Sequence, residues 1–454
     1  MVVNLSLETS LKVLRFVLCS SLLVALVIGC QDNKAILKES EKHLDAGTPQ
    51  AAVDGLETFI KTAPEEPKAR FLLGKAYNAL GRHNDAVEQL RKASQLYAAQ
   101  PEERTVARLE LARTYLRFGD RTSAFRVLRI VQRSTSDPET LRKIIELVGD
   151  SYQTKQLTTG DSDNYSPTFS PDGTQIAFAS FRTDNGEIYL MDLNGRIRQR
   201  VTYTTDFNDS SAAFLTTPNY LFYSSEPKAS RDVKVVLQSS GSTPIYAGFN
   251  LTHIHSKITR QVLPVTFGAR APRTSLSGNQ IIYESNADGN LELYLLDLDG
   301  VDLAQFTPED IEHKRLTFNE TDDGSPTFFP DGKRIMFVSS RDEVNQLYTI
   351  DIDGQNETHF NPNGYDCYNP TVSSDGKTIA YVSVRDGDWE IYLIDADSKN
   401  ERRITNDIGR SIQPAFSPDG RHLVFVSDRS DTFHIYLMSL DEPVTREDLV
   451  QRLQ

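Results

Sequence analysis

Ser411-Ile412-Gln413-Pro414-Ala415-Phe416-Ser417-Pro418-Asp419-Gly420-Arg421-His422-Leu423-Val424-Phe425-Val426-Ser427-Asp428-Arg429, with Ile435-Tyr436-Leu437-Met438 shortly after, decides the fold of this chain. The same grammar recurs from Pro370 to Arg385 with Ile391-Tyr392, from Pro326 to Arg341 with Leu347-Tyr348, and from Pro167 to Arg182 with Ile188-Tyr189. Asp331-Gly332, Asp375-Gly376 and Asp419-Gly420 lie 44 residues apart, a period that signals propeller blades or solenoids. Within each copy Pro-Asp-Gly makes a tight turn, because Gly takes a positive φ without steric cost. Ile335, Phe337 and Ser339 then alternate with Met336 and Val338, the period of a strand. A second alternating run, Leu347 to Ile350, ends in the hairpin turn Asp351-Ile352-Asp353-Gly354, and Arg402-Arg403-Ile404-Thr405 supplies a fourth strand. Four antiparallel strands repeated round a ring make a β-propeller.

Six blades follow. A fifth copy runs from Arg273 through Ile281-Ile282-Tyr283 and Leu293-Tyr294 to Asp297-Leu298-Asp299-Gly300, and a degraded one keeps Phe214, Pro218 and Leu221 to Ser225. A long insertion up to Val265-Thr266 leaves the degraded blade's third strand open between Ile245-Tyr246 and Leu251 to His253. The last blade lacks an outer strand, whereas Lys155-Gln156-Leu157-Thr158-Thr159 stands alone before the first. That orphan is expected to complete blade six and remove an open edge.

Ser-Pro-Asp-Gly, then Ser-x-Arg, then Ile-Tyr, then Asp-x-Asp-Gly resembles the WD40-like (PD40) repeat of the TolB family of periplasmic propellers, over roughly residues 155 to 440. The resemblance implies a TolB-like six-bladed propeller and a role in envelope assemblies, although propellers host unrelated activities.

Upstream, Lys12 and Arg15 precede the apolar run Phe16 to Ile28, the pattern of an export signal over residues 1–29. Val27-Ile28-Gly29-Cys30 resembles the bacterial lipobox, which implies lipidation at Cys30, a lipidated N-terminus over 30–32 and anchorage in a membrane leaflet. Gln31 after that cysteine implies the outer membrane, facing the periplasm. With Cys19 in the signal and Cys30 acylated, one cysteine remains, Cys367, and no disulfide staples the fold.

Residues 33–153 change to helical apolar spacing. Gly47, Ala52 and Leu56 recur 34 residues later as Gly81, Ala86 and Leu90, and Tyr77, Gly81, Ala86 and Leu90 recur 38 later as Tyr115, Gly119, Ala124 and Leu128. With Leu73-Gly74 and Pro64 these resemble tetratricopeptide repeats, with Pro138 to Val148 as a capping helix. The expected organisation is thus a TPR-type α-solenoid, a six-bladed propeller over 154–442 and a tail over 443–454. Residues 31–154 carry about +2 and residues 155–454 about −17, which argues against a nucleic-acid ligand.

No nucleophile elbow, phosphate loop, HExxH or paired CxxC occurs, so no catalytic residue, cofactor or metal is expected. His253 and His255 lack a third ligand nearby, and the Asp-x-Asp-Gly runs read as turn chemistry. Those turns and the Pro-Asp-Gly turns share one face of a propeller. The opposite face carries less repetitive loops, with Asp163, Asn164, Tyr165, Asp322, Asp323, Tyr365, Asp366, Tyr368 and Arg410 as candidate partner-binding residues and Cys367 among them. Arg182, Arg341, Arg385 and Arg429 stand beside this face, either for a partner or to pair with carboxylates of adjacent blades. In the helical repeats the groove candidates are Tyr77, Arg108, Arg113, Tyr115 and Arg117. The reading is a non-enzymatic envelope lipoprotein whose two domains bind other envelope proteins or peptide segments. The alternative is a glycan-binding or glycan-cleaving periplasmic propeller, whose cleaving form needs carboxylates at a defined separation.

Overall fold

The computed structural model describes residues 34–217, 219–228, 247–360, 364–397, 400–407 and 409–454. The export signal and Cys30 lie outside these residues. The chain divides into two compact units, residues 1–147 with Arg446–Gln454, and Val148–Thr445.

In the first unit, α1 (34–45), α2 (Pro49–Thr62), α3 (Pro67–Ala79), α4 (His83–Leu96), α5 (Pro101–Arg117), α6 (Arg121–Ser134) and α7 (Pro138–Val148) follow one another through short turns. Gly47, Gly81 and Gly119 turn the chain after α1, α3 and α5 with φ of +68°, +71° and +74°, the left-handed position that ends helices. Leu56, Leu73, Leu90 and Leu128 are fully buried along the stack. A Cβ on Gly74 would sit 2.6 Å from Leu90 Cγ, so only glycine lets α3 and α4 approach this closely. The segment expected as a tail instead forms α8 (Arg446–Arg452), whose Leu449 is buried. Arg446 Nη2 donates to the carbonyls of Gln132 and Thr135 at the end of α6, both at 3.3 Å, where a cation also complements the helix dipole. No helix among the described residues is long and apolar enough to cross a membrane.

The second unit is six four-stranded antiparallel sheets. Blade one is β2 (Asn164–Phe169), β3 (Gln175–Ser180), β4 (Glu187–Asp192) and β5 (Ile197–Arg200). Blade two is β6 (Phe207–Phe214), β7 (Tyr220–Pro227), β8 (Gly248–His253) and β9 (Thr259–Leu263), which assigns its third strand to the Leu251 stretch. Blade three is β10 (Ala269–Thr274), β11 (Gln280–Ser285), β12 (Glu292–Asp297) and β13 (Glu312–Arg315). Blade four is β14 (Asp323–Phe328), β15 (Arg334–Ser339), β16 (Gln346–Asp351) and β17 (Thr358–His359). Blade five is β18 (Cys367–Val372), β19 (Thr378–Ser383), β20 (Glu390–Asp395) and β21 (Arg402–Arg403). Blade six is β22 (Ser411–Phe416), β23 (His422–Ser427) and β24 (His434–Pro443), closed by β1 (Tyr152–Gln156).

The orphan strand therefore pairs, but it begins three residues earlier than its sequence suggests. Gln153, Thr154, Lys155 and Gln156 face Ser439, Met438, Leu437 and Tyr436, and Leu157 N–H donates to the Ile435 carbonyl at 2.8 Å. Leu157 is only 6% exposed and lies in the cluster formed by blades one, five and six, so one strand closes both the hydrogen-bond ladder and the core.

The Ser-Pro-Asp-Gly turns of blades one and six and the Ser-Ser-Asp-Gly turn of blade five are Asx turns. Asp172, Asp375 and Asp419 each accept a backbone N–H two residues on at 3.0 Å and the hydroxyl of the serine two residues back, while glycines 173, 376 and 420 hold φ near +70°. Hydrogen bonds from those serines hold all three carboxyls below the usual range.

Candidate interaction face

The first strands β2, β6, β10, β14, β18 and β22 abut one another round the ring, so they are the inner strands. Each carries a bulge at its middle with one left-handed residue, the third of five strands and the fifth of the longer β6: Ser166, Ser211, Ala271, Ser325, Asn369 and Gln413 have φ between +46° and +52°. Non-glycine residues hold this conformation only when their surroundings enforce it. Gln413 Oε1 accepts Ser166 N–H at 2.8 Å, and the Ser166 and Ser211 hydroxyls lie 3.5 Å apart, each contact bridging two blades.

The seams between blades explain several candidates on the irregular face. The first residue of each inner strand, or Asp209 two residues into β6, donates its N–H to the residue just before the third strand of the preceding blade, at 2.7 to 2.9 Å in all six seams. The side chain one residue earlier adds a second bond in four of them. Asp163 accepts from Phe433 N–H at 3.1 Å, Asn208 from Gly186 at 3.0 Å, and Asp322 and Asp366 from Leu291 and Asn345, both at 2.9 Å. These side chains are inter-blade staples as well as partly accessible groups.

Asn164 and Asp323, read from sequence as partner-binding, are buried and cannot touch a partner. Their strand position points them into the seam, where Asp323 accepts from Arg341 Nη2 at 3.1 and 3.2 Å. Burial pushes the Asp323 carboxyl up, opposed by Ser339 and Arg341. Cys367 occupies the same position in blade five and is 1% exposed, so it lies in the wall and not at the mouth.

The rest of the predicted face gathers over blades five, six and one. Tyr165 lies 5.0 Å from Phe433 and 6.1 Å from Phe181, and the Arg410 guanidinium sits 4.6 Å over Phe433 while its Nη2 bonds Asp428 at 2.7 Å. Burial, with the neighbouring Asp163, pushes the Tyr165 hydroxyl well above its ordinary pKa. Tyr368 packs on Trp389 at 4.7 Å and its hydroxyl accepts from Asn345 Nδ2 at 3.0 Å. Tyr365 is 50% exposed, with Arg385 5.4 Å over its ring. Phe181, Trp389 and Phe433 were not among the sequence candidates. They stand at loop positions that differ in every blade, so no repeat signal marks them.

The Ser-x-Arg arginines mainly brace their own blades, and Arg429 also reaches Asp407 in the link from blade five at 3.4 Å. Arg341 bonds Ser339, Asp323 and Glu357, Arg385 bonds Ser383 and Glu401, and Arg429 bonds Ser427, Ser411 and Asp150, which sits two residues before β1. Arg182 bonds Ser180 at 2.8 Å and stacks 4.6 Å over Tyr189, with Asn164 where blade four has Asp323.

A second braced system was also missed. Glu187, Glu292 and Glu390, fully buried at the start of the third strands, take ion pairs from Arg200, Arg315 and Arg403 at 2.9, 2.9 and 3.4 Å. Thr202, Thr317 and Thr405 accept the N–H of Ile188, Leu293 and Ile391 at 2.8 to 2.9 Å. The signal was a glutamate before three of the five Ile-Tyr or Leu-Tyr pairs, each matched by Arg-x-Thr at the end of the fourth strand.

In the helical unit the groove candidates do not form one cluster. Tyr77 is buried, bonds Glu57 at 2.7 Å and is pushed up to about 12 by burial. Arg113 pairs with Glu110 at 2.8 Å, and Tyr115 accepts from Arg91 at 2.8 Å. Arg108 and Arg117 are nine residues apart and project from opposite sides of α5 at 3.6 residues per turn. His253 Nδ1 is taken by Ser256 at 2.9 Å, and no metal-ligand cluster occurs among the described residues.

A ring of six sheets closed by strands from both ends of the unit, with an aromatic rim, defines a six-bladed β-propeller. Residues 247–385 and 365–448 match the TolB beta propeller domain family. Similar solved structures include TolB from Acinetobacter baumannii, 20% identical, covering 60% of this chain and 65% of that one with a TM-score of 0.44. A putative TolB from Agrobacterium tumefaciens is 18% identical over 63% and 96% of the two chains, with a TM-score of 0.46. Oligogalacturonate lyase from Vibrio parahaemolyticus is 14% identical over 64% and 95%, with a TM-score of 0.43. The matched part spans less than two thirds of the Acinetobacter protein. No curated protein matches the chain.

Proposed function

We propose that the protein is a non-enzymatic interaction scaffold of the bacterial envelope, anchored through lipidated Cys30 and docking a protein at the rim of its propeller. The observation that carries this reading is the aromatic and arginine belt of Tyr165, Phe433, Arg410, Tyr368, Trp389 and Tyr365 on the variable face. Aromatic and arginine side chains dominate the energetics of protein interfaces. The acidic balance of the propeller suits a partner with a basic docking segment. A non-enzymatic reading fits the carboxylates of this face, because Asp163, Asp322 and Asp366 already hold backbone amides and Asp323 is buried with Arg341. The helical repeats, read as tetratricopeptide-like, are a second docking unit, with Arg117 exposed at the end of α5.

A photo-crosslinker at Tyr365 in the full-length protein, in intact cells, tests the reading. Adducts with a defined envelope protein that are lost in Arg410→Ala and retained in Arg117→Ala support docking at the rim. Adducts confined to glycan, or none at the rim while Arg117 variants lose partners, overturn it.

A further inference from the structure

Inner strand β10 differs from the other five. At its second and fifth positions it carries Arg270 and Arg273, where the other blades have Tyr165 and Thr168, Ser210 and Ala213, Gly324 and Thr327, Tyr368 and Thr371, or Ile412 and Ala415. Glu284 lies opposite Arg270 on β11, at a position held elsewhere by alanine, serine or valine. Ile282, opposite Arg273, packs with Phe328, Ile335 and Phe337, so this face of blade three looks toward blade four.

Glu284 is fully occupied. Its Oε1 accepts Arg270 Nε at 2.5 Å and its Oε2 accepts Ser325 N–H of blade four at 2.6 Å. A Cβ on Gly324 would come within 2.5 Å of that oxygen, so the seam is shaped around the carboxylate. Arg273 is left with one bond, from Nη1 to the Pro272 carbonyl at 3.0 Å, and with Glu284 acting only through space. Burial disfavours its charge, yet the residue keeps partial exposure on an inner strand of the ring. Arg200, Arg315, Arg341, Arg403 and Arg429 all pair with carboxylates, whereas the rest of the Arg273 fork has no acceptor among the described residues. A desolvated guanidinium with most of its donors unbonded is costly, and an oxyanion is its natural complement.

We propose that Arg273 binds an oxyanion, a carboxylate or a phosphate, on the wall of the central channel at the seam of blades three and four. The left-handed residues Ser211 and Ser325 bring hydroxyls to the same ring of inner strands. This site does not depend on what docks at the rim.

The full-length protein is melted in rising inorganic phosphate or malonate, against chloride at equal ionic strength. A saturable rise in Tm with either anion is expected, and which anion acts separates the two sources. Arg273→Gln should weaken the response about ten- to hundredfold, the loss expected for charge-assisted hydrogen bonds, while Arg334→Gln on the surface leaves it unchanged. No rise in the wild type, or equal rises in Arg273→Gln, overturns the proposal. If Arg273→Gln does not fold, wild-type crystals soaked in selenate decide. Anomalous density within hydrogen-bond reach of the guanidinium supports the site, and its absence refutes it.

Discussion

Asp209→Asn should flatten the pH dependence of propeller stability. Asp209, the third residue of β6, is fully buried; its Oδ1 accepts Ser225 Oγ at 2.6 Å and its Oδ2 accepts Thr204 Oγ1 at 3.2 Å. Burial, with the Ser225 hydrogen bond opposing and the Glu187 charge adding, pushes its pKa from 3.8 up to about 6. The folded state thus holds this proton more tightly than the unfolded chain. Its contribution to stability is complete below the unfolded value and is lost as pH rises through the folded one. A shift of about two units amounts to about 3 kcal/mol, of which about 2 kcal/mol falls between about pH 4.5 and about pH 8. Asparagine keeps an acceptor for Ser225 and does not titrate. Trp389 is the sole tryptophan and lies in the propeller, so its fluorescence during urea unfolding of the full chain reports this unit. Relative to wild type, Asp209→Asn should gain about 2 kcal/mol on going from the lower to the higher pH. Comparing the two proteins cancels the other titrating groups. A difference that stays constant with pH, or moves in the opposite direction, would refute the burial argument.

Leu157→Ala should lower propeller stability by about 2 to 5 kcal/mol, the range for a buried leucine, measured by the same fluorescence; an unchanged urea midpoint would mean that β1 does not close the ring. Gly195 and Gly300 both hold positive φ, at +84° and +75°, but a Cβ would sit 2.4 Å from the Leu157 carbonyl only at Gly195. Gly195→Ala should therefore cost clearly more than Gly300→Ala, and equal costs would remove the close approach from the account. Cys367 should resist a bulky maleimide in the folded protein and react on unfolding, followed by mass; rapid labelling of the native state would contradict its burial. Cys30→Ala should move the protein from membranes to the soluble envelope fraction, and retention on membranes through a high-salt wash would discard the anchor.

The blade count, turn chemistry and ring closure were legible because each is encoded locally and repeated. Pro-Asp-Gly must turn, alternating runs must pair, and a strand left over at one end must meet a blade lacking one at the other. Polar groups in the seams were not legible in the same way. Asn164, Asp323 and Cys367 look like variable loop residues, yet they start inner strands, and a shift of one position along a strand moves a side chain from accessible surface into the seam. Asp163, Asp322 and Asp366, one residue earlier, keep partial access. The helical unit shows the converse error. A run of arginines reads as one basic groove, but the helical period sends Arg108 and Arg117 to opposite sides of α5.

The seams also bear on where specificity can reside. Six backbone hydrogen bonds of 2.7 to 2.9 Å join successive blades irrespective of side chain, so the ring does not need its loop residues to stay closed. Four seams add an Asp or Asn staple, while blade six instead places Arg410 on Asp428 and Phe433, and blade three opens with Gly268. These two exceptions adjoin the two unusual surfaces, the aromatic rim over blades five, six and one and the Arg270, Arg273 and Glu284 wall of blade three. Positions freed from stapling are where side chains can vary without opening the ring, and both proposed sites lie beside them. An Arg410→Ala variant should therefore retain the urea midpoint of the propeller to within about 1 kcal/mol, the usual worth of a partly exposed ion pair, while losing the rim crosslink. Loss of both together would make Arg410 a seam residue after all and return the rim to structure.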